Sequence, residues 1–362
     1  MTKVLFIASH RAGRAPGQRF RLEQYFDFLE QNGYRCDLSY IISERDDRYL
    51  YKQGYYFHKF LILLKSVFKR YKDLRRANQY DIIFIHREAF LIGSTFFEKR
   101  FRKSKAKIVF DFDDSIFLRD TSDANKKFEW LKDPAKTAKI IAMSDMVFAG
   151  NQYLADYALK YNRNVKIIPT AINTTDVHKK SALVKNDDRI CIGWTGSITT
   201  IKHFEYAIPV LKKLKEKYKE RIVIKLIGDD KYENKELGIK GIAWNKENEI
   251  QELSSFDIGI MPLPNDDWSK GKCGFKGLQY MALEIPPVMS PVGVNSEIIQ
   301  DGINGFLADK EEEWIQKISL LIESKDLREK MGKAGRKTVV EKYSTESQKG
   351  NYLKYFNELL KK

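Results

Sequence analysis

The chain has 362 residues, 43% of them hydrophobic and 13% aromatic, and carries a formal net charge of +15. That length suits two domains of ordinary size, and the apolar share is ample for burial, which excludes a disordered chain. The three cysteines (Cys36, Cys191, Cys273) are odd in number and lack metal-ligand spacing, which excludes a disulfide framework and fits a reducing, cytoplasmic setting. Met1-Thr2-Lys3 runs straight into Val4-Leu5-Phe6-Ile7, so no signal peptide is read. No run approaches the ~18 apolar residues of a membrane span. The positive charge calls for an anionic partner: nucleic acid, an anionic membrane face or a phosphorylated substrate.

Lys3 to Ala8 is a predicted strand, followed by a glycine-bearing loop and a helix from about Gln18 to Gln31. Leu22, Tyr25, Phe26 and Leu29 form its apolar stripe, and Gly33 suits its C-terminal cap. Residues 56–76, YFHKFLILLKSVFKRYKDLRR, place Phe57, Phe60, Leu64, Val67, Phe68, Tyr71 and Leu74 at helical spacing, with Lys65, Lys69, Lys72 and Arg76 on another face. EKRFRKSKAK (98–107) adds cations nearby. The stretch reads equally as a core-packed helix with a solvated basic face or as a helix lying on an anionic membrane. Further strands are predicted at Asp81–His86, Lys107–Phe112, Met146–Ala149 and Val165–Ile168. All are short and apolar without alternation, as parallel strands covered on both faces are. This is a doubly wound α/β pattern.

The polar stretch NTTDVHKKSALVKNDD (173–188) interrupts it. The alternation then restarts with strand Ile190–Trp194 and a helix turning Phe204, Ile208, Leu211, Leu214 and Tyr218 inward. Strand Ile222–Ile227, a helix near Asn248–Ser255, strand Asp257–Met261 and strand Val288–Ser290 follow. The expected organisation is therefore a Rossmann-like domain over 1–178, a linker over 179–188 and a second Rossmann-like domain over 189–342. A last helix over 343–362 is expected to pack back on the first domain. Two such domains facing each other make a cleft, with ligands beyond the strand carboxyl ends.

The loops after strands carry the chemistry. WTGSITTIK offers the Gly196 and Ser197 amides before a helix, with Lys202 shortly after, a combination that suits a diphosphate. PLPNDDWSKGKCGFKGLQYMA places Lys272 and Lys276 among Gly271, Gly274 and Gly277, then seats a helix on Phe275, Leu278 and Ala282. A turn with this much glycine and like charge costs folding free energy, which points to an anionic ligand there. In the first domain, DFDDSIF presents Asp111, Asp113 and Asp114 at a strand end. That spacing is open to three readings: a metal–diphosphate bridge, acceptor binding or base catalysis, and plain helix capping. His86 and Arg87 end another strand, and Arg19 and Arg21 follow the first, so these groups line a shared wall.

GWTGSITTIKHFEYAIPVL and the run from Asp257 to Leu307 resemble a family-4 glycosyltransferase of the GT-B fold, with IIPTAIN, GQRFRLEQYFDFLEQNGY and DFDDSIF resembling it more loosely. The resemblance implies retaining transfer from a nucleoside diphosphate sugar, with no obligatory metal or other cofactor. It implies a donor site in the second domain formed by Gly196, Ser197, Lys202, Lys272, Gly274, Phe275, Lys276, Gln279 and Glu297. The chain departs from the family's acidic pair: Gln279 stands for the second acid, the first has no match, and Trp194 stands where the family has an arginine. The family's catalytic histidine has no clear match. Asp113 and Asp114, with Lys202 and Lys276, are the catalytic candidates, and Arg19, Arg21, His86, Arg87 and Asp111 the acceptor-binding ones. The implied partners are a UDP- or GDP-sugar and a glycan or lipid-linked acceptor in envelope polysaccharide synthesis, at the inner face of the membrane. The rivals are a metal-dependent GT-A-like enzyme using DFDD and a non-enzymatic nucleic-acid binder. The second lacks RNP or helix-turn-helix signals, so no nucleic acid is expected. A nicotinamide oxidoreductase is disfavoured because no G-x-G-x-x-G follows the first strand.

Overall fold

Six short runs in the first part of the chain pair as one all-parallel sheet in the computed structural model, which describes residues 1–118, 131–179 and 188–361. They are β1 (Thr2–His10), β2 (Tyr34–Ile42), β3 (Ile82–His86), β4 (Lys107–Phe112), β5 (Met146–Ala149) and β6 (Val165–Ile167), in the order β2-β1-β3-β4-β5-β6. β3 and β5 are buried along their whole length, which is why their sequences show no alternation. β2 was not expected from the sequence. It lies at the sheet edge, so its positions alternate in polarity instead of forming an apolar run.

This sheet belongs to a unit made of Met1–Thr170 and Gln348–Lys362; Ala171–Ser347 form a second unit. The last helix, Thr345–Lys361, thus contributes most of its length to the first unit. Tyr352 and Phe356 are fully buried there, their rings 5.4 and 6.2 Å from that of Phe148. The helix expected over Gln18–Gln31 is broken into Pro16–Arg21, a 3-10 turn Glu23–Tyr25 and Phe26–Gln31. Leu22 leaves helical geometry (φ −138°) where Arg21 turns into the core.

The second unit holds β7 (Ile190–Thr195), β8 (Ile222–Ile227), a short antiparallel hairpin β9 (Glu233–Asn234) and β10 (Ile239–Lys240), then β11 (Ile258–Met261), β12 (Pro287–Met289) and β13 (Phe306–Leu307). Its five-stranded parallel sheet runs β13-β12-β11-β7-β8. Trp194, Leu211, Leu226, Ile260, Val288 and Ile318 are among its core residues. Residues 171–179 lie with this unit and not with the first domain as the 1–178 boundary had it. Ile172 bridges Ser344, and the Arg336 guanidinium donates to the carbonyl of His178 at 3.0 Å. The expected linker, 179–188, lies outside the described residues except at its two ends.

Both sheets place their first strand between their second and their third principal strands. The strand order therefore reverses between β1 and β3 and between β7 and β11. Right-handed crossovers then leave in opposite directions, opening a crevice at the strand carboxyl ends in each unit.

The helix Tyr56–Arg76 has the reverse of the usual amphipathic orientation. It buries Lys59, Ile62, Ser66, Arg70 and Asp73, while Phe57 and Phe68 are 69% and 74% exposed. The core-packed reading, with the aromatic stripe inward, is overturned. Arg70 accounts for it: its guanidinium donates to the carbonyls of Ala89 (2.6 Å) and Ala8 (2.8 Å) and pairs with Asp73 at 3.0 Å. These buried charges are satisfied only with the polar face inward.

Candidate active site

In the first unit the crevice between β1 and β3 is lined by charged groups that are paired with one another. Asp111, at the end of β4, is fully buried; it accepts from Arg21 Nε at 3.2 Å and bonds His86 Nδ1 at 2.8 Å. Arg21 is equally buried and also donates to the Ile168 carbonyl. Arg21 and Asp111 were expected to bind acceptor. The structure makes them a core ion pair with no surface for a ligand, because each is the other's counter-charge. For the same reason Asp111 is not available to a metal bridge. Among the described residues, no group of three or more His, Cys, Asp and Glu could hold a metal ion.

His86, with its Nδ1 fixed by Asp111, keeps Nε2 as its other ring nitrogen. Arg87 follows β3 in the left-handed region (φ +63°). Its N–H donates to the Asp111 carbonyl and its Nε to Asp113, each at 2.7 Å. Bulky residues in that conformation are strained and persist where surrounding bonds fix them, often at sites. Burial alone would raise the Asp113 carboxyl, but Arg87, with His86 and Arg21, holds it well below the usual carboxylate range, so it is an anion. Asp114 is 3.9 Å from Arg87. The helix Pro16–Arg21 closes on this pair: a Cβ at Gly17 would stand 2.8 Å from Asp113 Oδ2. Arg19 lies over the Phe20 ring, 5.0 Å from its centroid. Sequence reasoning missed His10, Arg14 and Asp47 beside them. His10 Nδ1 is buried without a hydrogen-bond partner, and Asp47 accepts from Arg14 Nε at 3.0 Å. Burial brings the His10 pKa down to about 4, against the pull of Asp47.

In the second unit the loop after β7 does not offer the two amides expected. The Gly196 N–H donates to the Ile227 carbonyl at 2.9 Å, and the Ser197 N–H donates to Thr200 Oγ1 at 2.9 Å. Ser197 caps the 3-10 turn Ile198–Thr200, and that cap uses the donor. Lysines supply the charge instead. After β11, a short helix Asp267–Lys270 leads to Gly274 (φ +67°), where the helix Phe275–Ala282 begins at once. A Cβ at Gly274 would sit 2.3 Å from Ile298 Cδ1, so both conformation and space require glycine. The Tyr280 hydroxyl accepts the Thr195 N–H at 3.1 Å and donates to the Ile260 carbonyl at 3.4 Å, tying this helix to the ends of β7 and β11.

Lys276 Nζ stands 5.5 Å over the Trp194 ring and Lys272 Nζ 5.0 Å over that of Trp268. Lys202 is exposed on the short helix Ile201–Phe204. His203, on the same short helix, is buried with no hydrogen-bond partner on Nδ1. Burial first, then Lys276, Lys272 and Lys202, bring its pKa down to about 4, with Asp266 opposing. Lysines from the segments that follow β7 and β11 thus act electrostatically on one neutral imidazole. Its adjacency to Lys202 was the only trace of His203 in the sequence. Gln279 is elsewhere than expected: it is 1% exposed, with Nε2 donating to Glu249 at 3.1 Å and 3.4 Å from His178 Nε2. It points inward because the helix buries nearly every residue after Lys276, so a contact with a donor ribose would require it to leave these partners. Phe275 is half-buried, and Glu297 is exposed on Asn295–Ile298.

Two doubly wound parallel α/β units, each with polar loops at its switch point, define the GT-B class of fold. Residues 176–338 match the family model for glycosyl transferases group 1. The fold is shared with sucrose-phosphate synthase from Thermosynechococcus elongatus (12% identity, 99% of each chain covered, TM-score 0.70). It is shared with a glycosyltransferase from Rickettsia africae (16% identity, 99% of each chain, TM-score 0.69). Anabaena HepE, solved in complex with UDP and glucose, is similar over 99% of this chain and 100% of its own, at 12% identity and a TM-score of 0.67. No curated protein matches the chain in sequence. The matched segment of the second unit resembles a group 1 glycosyltransferase domain, and the chain is an enzyme of the glycosyltransferase class. The nucleic-acid-binder alternative is set aside by that domain, and the GT-A-like one by the two parallel sheets.

Proposed function

We propose that this enzyme moves a sugar from a UDP- or GDP-sugar, with retention of anomeric configuration, to a glycan or lipid-linked acceptor during synthesis of a bacterial-type envelope polysaccharide in the cytoplasm. The observation that carries the donor half is that Lys202, Lys272 and Lys276, in the segments that follow β7 and β11, all act on the buried His203. Like charges repel, and a diphosphate bound among them relieves the repulsion. The N-terminus of Phe275–Ala282, with Lys276 in its first turn, adds favourable partial charge. That HepE was solved with UDP and glucose supports a donor of this class.

In the reaction the bond from the anomeric carbon to the diphosphate oxygen breaks, and the bond to the acceptor oxygen forms on the same face. The acceptor proton passes to the departing diphosphate. Negative charge grows on that diphosphate in the transition state, where fixed lysines stabilise it more than in the ground state. They take the place of a divalent ion, so turnover is metal-independent in this reading. Asp113, kept ionised by Arg87, accepts a hydrogen bond from an acceptor or sugar hydroxyl, and His86 adds a second polar contact fixed by Asp111. Transfer from a panel of UDP- and GDP-sugars, with NMR of the product anomer, tests this. Retention with activity undiminished by EDTA is expected; an inverted product or EDTA-abolished turnover contradicts it.

A further inference from the structure

We infer that the outward face of the helix Tyr56–Arg76 docks the protein on an anionic lipid surface. This stands independently of the donor reading. Phe57, Phe60, Leu61, Leu64, Phe68 and Tyr71 are all at least 40% exposed. At ~100° per residue they share one arc of roughly 100°, opposite the buried Lys59, Ser66 and Arg70. A contiguous apolar stripe of this size facing water marks an interaction surface.

Charge selects the occupant. Lys72 and Arg75 are exposed beside the stripe, and Asp73, the helix's only acid, is buried against Arg70 and Ser39. The basic rim continues onto the next helix, Phe96–Phe101. Tyr71 packs 6.0 Å from Phe96 and 5.6 Å from Phe97, Arg100 lies 4.8 Å over Phe96, and Lys99, Arg102 and Lys103 are exposed. A second copy of the chain would bring these cations face to face with no exposed helix acid to offset them. Anionic headgroups complement them, each nearby Lys or Arg strengthening the attraction, while the aromatic side chains enter the headgroup–acyl boundary. Among the described residues no helix is long and apolar enough to cross a membrane, so the helix lies in the plane of the surface.

Flotation of the full chain with phosphatidylcholine vesicles, with and without about one-third phosphatidylglycerol, tests this. Cofloating with the anionic vesicles, released by ~0.5 M salt, is expected. Phe57→Ser with Phe68→Ser should lower partitioning about tenfold or more. Lys72→Glu with Arg75→Glu should remove the preference for anionic vesicles. Both pairs are exposed, so melting temperature and UDP binding should be unchanged. Absence of flotation at low salt, or undiminished flotation of the Phe57→Ser/Phe68→Ser chain, overturns the inference. So does a concentration-dependent dimer, seen by sedimentation, that the phenylalanine substitutions dissolve without any vesicle binding.

Discussion

The two units handle charge at their strand ends in opposite ways. In the first, carboxylates meet arginines: Asp111 with Arg21, Asp113 with Arg87, Asp47 with Arg14. In the second, Lys202, Lys272 and Lys276 act on a neutral His203. The first arrangement is largely complete without a ligand, so disturbing it should cost stability. The second brings positive charge that an anion complements, so disturbing it should cost binding. A charged residue at a strand end is therefore not a site by its position; its partners decide.

Substitutions can break that contrast. Arg21→Ala leaves Asp111 as an uncompensated buried charge and should cost about 3–5 kcal/mol in chemical denaturation. A cost below about 1 kcal/mol would remove the structural role assigned to the pair. Lys272→Ala with Lys276→Ala should do the reverse: kcat/KM for the donor should fall about 100- to 1000-fold, with little change in denaturation midpoint. Gly274→Ala should cost about 1–3 kcal/mol, since φ +67° and the nearness of Ile298 both oppose a Cβ. It should weaken donor use as well, because that turn aims Lys272 and Lys276.

The smallest effect expected is in the pH dependence. His10 and His203 titrate near 6.5 when unfolded and near 4 when folded. The unfolded chain then binds protons that the folded chain refuses, so stability is full above pH ~6.5 and declines as pH falls toward 4. His203→Gln should make that decline shallower in denaturation curves recorded across the window; an unchanged slope would mean His203 is not neutral in the fold.

The central strands were legible because β3 and β5 are apolar runs and β4 holds Ile108-Val109-Phe110, whereas β2, an edge strand with polar positions, carried no such signal. Helical spacing over 56–76 showed which residues share a face but not which face turns inward. Arg70 decides that, through carbonyls of Ala8 and Ala89. Arg21 and Asp111 are 90 positions apart, and nothing local in the sequence shows that two such charges meet in a core. The loops bearing Lys202 and Lys272–Lys276 were visible as glycine- and lysine-rich turns. That both segments lie at one edge of adjacent strands follows only from the pairing of β7 with β11.

The central claim is that the second unit's lysines hold a nucleoside diphosphate. Calorimetric titration of UDP and GDP into the intact chain and into the Lys272→Ala/Lys276→Ala chain tests it most directly. Binding of at least one by the intact chain, weakened at least about tenfold by the substitutions, is the expected result; equal affinity in both chains, or no binding of either nucleotide, would contradict it.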